Sequence, residues 1–138
     1  MTDSNHNDRY LEIKVVMMPR DTNPHGTIFG GVTLSYIDQA GAVGAQYEIR
    51  RAGWPDQPIV SVAIKGVEFH LPVFVGDVVS FWTRLVRVGR TSITMHVDVK
   101  ADRRGEVVQV TEAEVTYVAV DLDDGNRLPV PIRGRSAQ

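Results

Sequence analysis

The stretch PRDTNPHGTIFGGVTLSYID, residues 19–38, contains the change of pattern that decides the fold of this chain. Its first half is rich in Asn, Pro and Gly, which is typical of a loop. After this loop the apolar residues recur at helical spacing, so we predict a helix over residues 31–50. Before the loop, apolar and polar residues alternate, and the apolar positions are Leu11, Ile13, Val15 and Met17. This alternation predicts a strand that ends at Pro19.

The remainder of the chain has the pattern of β-structure. A strand is predicted over residues 58–71, with a bulge at Gly66, where the apolar positions change phase. Three more strands are predicted over residues 77–88, 93–100 and 107–120. The first of these three is apolar on both faces, which indicates the helix on one side and a partner, such as another subunit, on the other. The order β-α-β-β-β-β predicts an α+β fold with one long helix packed on a five-stranded antiparallel sheet.

Two glycines, Gly41 and Gly44, lie in the middle of the predicted helix. Together they cost the helix about 1.5–2 kcal/mol relative to alanine. A helix that accepts this cost needs something to approach it closely. Tight packing onto the sheet is the favoured explanation, and room for a ligand or a symmetry-related helix is the alternative.

Length and composition limit the class of protein. The 138 residues fit one domain, which we place at residues 10–129, with a flexible N-terminus at 1–9 and a tail at 130–138. The net charge of -2 gives no basic footprint for nucleic acid. Without cysteine, the chain has no disulfide, no thiolate nucleophile and no Cys-based zinc site. Because we find neither a signal peptide nor an apolar run of ~20 residues, we expect a soluble, cytoplasmic protein without membrane insertion.

The start of the predicted helix is a candidate oxyanion hole. The first amides of a helix have no intrahelical partner, and the helix dipole places about half a positive charge there. Gly30 and Gly31 would let a ligand oxygen approach these amides without a Cβ in the way. A plain turn with a glycine cap is the alternative, and the pattern alone favours it.

Asp38 is a candidate general base. It follows Gly31 by seven residues, so two helical turns return it to the same face. Apolar neighbours would bury its carboxylate and make it a better base, but a solvent-facing aspartate fits the pattern equally well. In the preceding loop, Asn23 could hold a water or a carbonyl, although an Asx-turn is the more common role.

A turn between two predicted strands offers groups that bind phosphate. It consists of Gly89, Arg90, Thr91 and Ser92, which supply backbone amides, hydroxyls and a guanidinium. An ordinary hairpin is the alternative and is favoured by the pattern alone.

The remaining titratable residues suggest little chemistry of their own. The four histidines are His6, His25, His70 and His96, and no two of them have metal-ligand spacing on one element. We therefore predict no metal site, and we expect His25 to lie near a ligand rather than to act in catalysis. The carboxylates of Glu112 and Glu114 share one face of the last strand and are expected to be solvated or paired with arginines, with a catalytic dyad as the less favoured alternative.

Four blocks of sequence carry a family resemblance. The specific one is MPxDTNxxGxxFGG at residues 18–31, followed by DxAG at 38–41. The other three are EFxxPVxVGDxV at 68–79, GxTS at 89–92 and TEAxxxYVAVD at 111–121. In this order they resemble the hotdog-fold acyl-CoA hydrolases, in particular the bacterial YciA-type enzymes and the brain-type cytosolic acyl-CoA hydrolase. The similarity covers residues 11–129.

The resemblance implies a fold, an assembly and a site. The fold would be a helix wrapped by a five-stranded sheet, in a homodimer joined edge to edge and assembled into a homohexamer. Asp38 would be the catalytic carboxylate, as general base or nucleophile, while Asn23 from the other subunit positions water or thioester. The amides of Gly30 and Gly31 would polarise the thioester carbonyl. The substrate and its CoA would lie near His25, Phe29, Phe69 and the turn at residues 89–92.

The expected reaction is hydrolysis of acyl-CoA to a free acid and CoA, without a metal or cofactor other than the CoA of the substrate. Two other functions are open to the same fold. One is an acyl-thioester hydratase or dehydratase, for which His25 and Asp38 could form the His and carboxylate pair. The other is a non-catalytic acyl-CoA-binding protein.

Overall fold

One long helix crosses one face of an antiparallel sheet in the computed structural model, which describes residues 9–123 and 125–134. The elements in chain order are β1 (Tyr10–Val16), a short 3-10 helix (Pro19–Asp21), α1 (Gly30–Arg51), β2 (Ile59–Phe69), β3 (Val78–Val88), β4 (Ser92–Arg103), β5 (Glu106–Asp121) and β6 (Leu128–Pro129). The strands are ordered β1-β3-β4-β5-β2, and β6 pairs with β5. This confirms the α+β prediction, with β6 as an additional two-residue strand.

The helix α1 begins one residue earlier and ends one residue later than predicted. Its glycines are explained by tight packing on the sheet. A Cβ at Gly41 would lie 3.2 Å from the ring of Tyr117 and would meet its hydroxyl oxygen more closely still. At Gly44 it would lie 2.5 Å from the hydroxyl oxygen of Thr83. The favoured explanation of these two glycines is therefore confirmed.

The core lies between α1 and the inner face of the sheet. Its fully buried side chains include Ile37 and Ile49 of the helix and, from the sheet, Val79, Phe81, Met95, Val97, Val99, Val115 and Tyr117. The strand β3 presents Val79, Phe81 and Thr83 to the helix, as its pattern predicts. On its opposite face Trp82 is half-buried beneath the guanidinium of Arg9, which lies 5.0 Å from the ring centroid.

The edge strand β2 is bulged in two places. The register with β5 shifts between Lys65 and Glu68, where Gly66 has a φ of 64°, which confirms the predicted bulge. A second shift, between Ser61 and Ala63, was not predicted. Next to it Val62 is 57% exposed, so this edge presents apolar side chains to the surroundings.

The end of the chain does not form the tail expected from residue 130. The amide of Val130 donates to the carbonyl of Ala119, and that of Ile132 donates to the carbonyl of Arg90, both at 2.9 Å. Ile132 is buried in the core. The apolar side chain and the ladder hydrogen bonds thus bring residues 130–132 back onto the sheet.

Of the flexible N-terminus predicted at residues 1–9, residues 1–8 with His6 lie outside the described residues, as do residue 124 and residues 135–138. Arg9 is described, and it forms a 3.6 Å ion pair with Asp98. The helix of the described part of the chain lacks the apolar length that crossing a membrane requires.

Candidate active site

The N-terminus of α1 presents unpaired backbone donors. Phe29 is the N-cap residue, and its side chain makes no capping hydrogen bond. Its carbonyl accepts from the amide of Val32 at 3.1 Å. The amides of Gly30 and Gly31 have no acceptor among residues 9–123 and 125–134. Nothing lies within 4 Å of a Cβ position at Gly31, so a ligand oxygen can reach this end of the helix.

An apolar groove of about 270 Å³ lies beside these amides. Its lining includes Ile28, Thr33, Phe69 and Val73. The ring of Phe69 lies 3.2 Å from the Cβ position of Gly30, and half of this side chain remains exposed. Phe29, at the N-cap, is equally exposed. Both predicted ligand contacts are therefore accessible beside the helix start.

The loop before the helix is organised by Asn23. Its side-chain oxygen accepts from the amide of His25 at 2.9 Å and from that of Thr27 at 3.2 Å. Its side-chain nitrogen donates to the hydroxyl of Thr27 at 2.7 Å. This is the Asx-turn alternative of the sequence interpretation. One hydrogen of the side-chain amide is left over, so Asn23 can still donate to a ligand. His25 is exposed at the tip of the loop.

Asp38 is held at both its backbone and its side chain. It is half-buried rather than enclosed by apolar residues, and Oδ2 accepts from the hydroxyl of Ser61 at 3.4 Å. Its backbone carbonyl accepts from the hydroxyl of Tyr117 at 2.6 Å. Ser61 and Tyr117 are opposite each other in the register of β2 and β5. A single cross-strand pair therefore contacts Asp38 twice.

Tyr117 was quoted only within a family block, and Ser61 was not singled out by the sequence interpretation. Burial, followed by the nearby charge of Asp38, raises the pKa of Tyr117 far above its usual range. Its hydroxyl therefore stays protonated and can only donate to the Asp38 carbonyl. The alternation of side chains along β2 could have indicated that Ser61 faces the helix. The unpredicted bulge after Ser61 interrupts this alternation.

The turn at residues 89–92 is far from the helix start. The carbonyl of Thr91 accepts from the amide of Ala119, which pairs with Ile59, the first residue of β2. Gly30 instead contacts Phe69, the last residue of β2. An eleven-residue strand spans on the order of 30 Å. The structure thus does not bring the turn and the glycine amides of one chain together.

On the outer face of the sheet the structure corrects the expectation for Glu112. Its two carboxylate oxygens bond to imidazoles, Oε2 to Nε2 of His70 at 3.0 Å and Oε1 to Nε2 of His96 at 3.1 Å. These hydrogen bonds, that of His96 first, lower the pKa of Glu112. His96 belongs to β4 and His70 directly follows β2, so spacing along one element could not have revealed the contact.

The helix start, the groove and Asp38 together suit attack on a carbonyl. Unpaired amides can stabilise a developing oxyanion, an apolar groove can accept an apolar chain, and a carboxylate can activate water. This combination, on a sheet wrapped around one helix, defines the class of hotdog-fold thioester hydrolases. Residues 25–108 match the model of the thioesterase superfamily, and the chain belongs to this family.

Individual relatives share most of the chain. The acyl-CoA thioester hydrolase YciA of Salmonella typhimurium is 39% identical over 129 residues, which cover 90% of this chain and 92% of that protein. The hexameric broad-specificity acyl-coenzyme A thioesterase HI0827 is 36% identical, with a TM-score of 0.77 over 91% of this chain and 82% of that one. Cj0915, a hexameric hotdog fold thioesterase of Campylobacter jejuni, is 42% identical, with a TM-score of 0.73 over 87% and 89%.

Proposed function

We propose that this chain hydrolyses acyl-CoA thioesters to a free carboxylic acid and CoA. Water adds to the thioester carbonyl, the bond between carbon and sulfur breaks, and the thiolate leaves as CoA. The observation that carries the proposal is the pair of unpaired amides at Gly30 and Gly31, which open toward an apolar groove. Membership of the thioesterase superfamily and the names of the relatives support the same reaction.

The roles of the residues follow from what each can donate or accept. The amides of Gly30 and Gly31 stabilise the oxyanion, and the remaining hydrogen of the Asn23 side-chain amide positions the water or the thioester. The carboxylate of Asp38 acts as general base or as nucleophile. No cofactor takes part beyond the CoA of the substrate. The cysteine-free sequence is in keeping with work in the reducing cytoplasm.

The glycine amides and the Asp38 carboxylate of one chain belong to different active sites. Seven residues of helix correspond to a rise of about 10.5 Å between Gly31 and Asp38. A base and an oxyanion hole that serve one carbonyl must each approach it to about 3 Å. We therefore assign Gly30 and Gly31 of one subunit to the same site as Asp38 of its partner.

The assembly supplies the rest of the site. The turn at residues 89–92 lies at the far end of β2 from Gly30, so its phosphate-binding groups serve a site formed with a neighbouring subunit. The exposed apolar edge at β2 suits pairing with a second copy. A homodimer joined at this edge, assembled into a homohexamer like the named relatives, fits both features.

A thiol-release assay with short, medium and long acyl-CoA esters tests the reaction. We expect turnover by the wild-type protein, unchanged after dialysis against a chelator. Asp38→Asn should lower kcat by about 10²–10⁴-fold, because it removes the carboxylate but keeps its size. Light scattering should give the same oligomer for both proteins. Hydration of an enoyl-CoA without release of thiol would instead support a hydratase, and tight acyl-CoA binding without turnover would support a binding protein.

A further inference from the structure

Four side chains meet on the face of the sheet that points away from α1. We call Glu68, His70, His96 and Glu112 the His–Glu cluster. Glu112 lies at its centre, with one imidazole on each carboxylate oxygen. The imidazole of His70 also faces Oε1 of Glu68 at 3.8 Å. Thr111 and Ala113, on either side of Glu112, are buried, so Glu112 lies on the opposite face of the sheet from the helix, while His70 also lines the groove beside Gly30.

The cluster concentrates negative charge in one row of the sheet. Glu112 is directly opposite Glu68 of β2 and directly opposite Asp98 of β4. Like charges in directly opposed positions destabilise a sheet. Asp98 is compensated by the ion pair with Arg9. Within residues 9–123 and 125–134, by contrast, Glu68 and Glu112 have ion-pair contacts only with imidazoles.

The spacing of the side chains is close to that of a coordination site. Ligand atoms of Glu68, His70 and Glu112 all lie within 4.8 Å of one another. In a tetrahedral zinc site with bonds of about 2.0–2.1 Å, the ligand atoms are separated by about 3.3–3.4 Å. The observed separations of 3.0 Å and 3.8 Å from Nε2 of His70 lie on either side of this value. The oxygens of Glu68 and Glu112 lie within 4.8 Å of each other, and rotation of the exposed Glu68 side chain would bring its oxygen closer.

The surroundings of Glu112 provide the support that metal ligands need. His96, which is largely buried, holds the carboxylate oxygen that faces away from His70. Such a hydrogen bond orients a ligating carboxylate and leaves its second oxygen free to bind. A cavity of about 290 Å³ lies beside the cluster, and its lining includes Lys65, Gly66, Glu68, His96, Glu112 and Glu114.

We propose that the His–Glu cluster binds a divalent transition-metal ion such as zinc. Glu68, His70 and Glu112 are the ligands, water completes the coordination, and His96 orients Glu112. The ion replaces the hydrogen that joins His70 to Glu112, and it neutralises the two opposed carboxylates. Imidazole and carboxylate together suit zinc rather than magnesium or calcium. The inference does not depend on the proposed hydrolase activity.

The test is a zinc titration of the tag-free, chelator-treated protein in competition with a chromogenic zinc chelator. We expect one zinc ion per chain. His70→Gln and Glu112→Gln should each weaken binding by at least about tenfold, and His96→Ala should weaken it by about tenfold without changing the stoichiometry. His25→Gln and Asp38→Asn are the matched controls, because each removes a histidine or a carboxylate outside the cluster. Both should bind zinc like the wild type.

Three further measurements keep the result independent of folding defects in the variants. Zinc should raise the Tm of the wild-type protein and not that of His70→Gln, and acidification should weaken binding because a charged imidazole cannot coordinate. X-ray absorption of the zinc-loaded wild type should show a shell of oxygen and imidazole nitrogen atoms. Wild-type affinity no higher than that of His70→Gln would overturn the proposal. In that case the hydrogen bonds to the imidazoles alone would hold the carboxylates.

Discussion

Asp38 is restrained more firmly through its backbone than through its side chain. The hydrogen bond from Tyr117 to its carbonyl is short, at 2.6 Å, whereas the contact of Ser61 with its carboxylate is long, at 3.4 Å. The first contact sets the height of the helix above the sheet. The second leaves the carboxylate able to turn toward a water molecule. This division suits a residue that must be placed accurately and must still accept a proton.

Replacing Tyr117 by Phe tests the backbone contact. We expect the free energy of unfolding to fall by about 0.5–1.5 kcal/mol, since one hydrogen bond is lost and the carbonyl keeps its helical partner. The kcat of thioester hydrolysis should fall several-fold with little change in KM. Thr116→Val is the matched control, because the Thr116 hydroxyl bonds to Thr94 at 2.9 Å on the other face of the same strand. A fall in kcat as large in the control would contradict the positioning role.

A second prediction at this scale concerns Glu12. Burial is the main cause that raises its pKa, the charge of Glu48 adds to it, and the hydroxyl of Thr83 opposes it. Folding therefore favours the protonated form, and the charged form costs stability as pH rises through the folded-state pKa. Glu12→Gln should raise the Tm at pH 8. This gain should disappear below the unfolded-state pKa of about 4.3.

The control for this effect is Glu106→Gln, at the exposed start of β5. It removes the same charge without relieving burial, so its Tm should follow the wild type across the pH range. Equal changes in the two variants would show that net charge, not burial of Glu12, controls the pH dependence.

At the scale of elements, the bounds of α1 followed from local signals on both sides. The Asn, Pro and Gly residues before it and the Gly53-Trp54-Pro55 sequence after it cannot continue a helix, so the prediction missed each end by a single residue. The bulge at Ser61 and the packing of residues 130–132 were not predictable in this way. Both depend on pairing with β5, and the register of distant strands leaves no local trace in the sequence.

The glycines of α1 make the packing of this element testable. Gly44→Ala gains about 1 kcal/mol of helix propensity but forces its Cβ onto Thr83 and Met95, so we expect a net loss of about 1–3 kcal/mol in the free energy of unfolding. Gly31→Ala, in the same helix but facing open space, should leave the free energy unchanged or raise it. Denaturant unfolding of both variants measures the difference. A Gly44→Ala protein as stable as the wild type would refute the close packing.

At the scale of the whole molecule, the candidate site was predicted in its parts but not in its arrangement. The sequence named the glycine amides, Asp38, Asn23 and the turn at residues 89–92. The distance between the turn and the glycine amides appeared only with the fold, because distances between elements depend on how the strands pair and how the helix crosses the sheet. The sequence did not predict the His–Glu cluster for the same reason, because three strands contribute to it.

A site shared between subunits can be tested by mixing defective chains. Gly31→Pro removes one amide donor in the first turn of α1, where no intrahelical hydrogen bond is lost, and Asp38→Asn removes the carboxylate. Each variant alone should be nearly inactive. If each site takes Gly31 from one subunit and Asp38 from its partner, a mixed dimer has one intact site. Co-expression in equal amounts should then restore about a quarter of the wild-type activity, given random pairing in a two-fold dimer.

Single-variant samples mixed without exchange of subunits are the control for this experiment and should stay inactive. Thiol release, normalised to total protein, is the readout. If purified mixed dimers stayed inactive, Gly31 and Asp38 of one chain would have to serve the same site.

The contact between Gly41 and Tyr117 also limits the order in which this protein can change during evolution. An alanine at Gly41 meets the hydroxyl oxygen of Tyr117 first and its ring only at 3.2 Å. Once Tyr117 has become phenylalanine, the same alanine is accommodated by a small shift of the ring, and it adds helix propensity. The two substitutions are therefore epistatic. A lineage can acquire them through phenylalanine at 117, whereas the path through alanine at 41 passes a less stable intermediate.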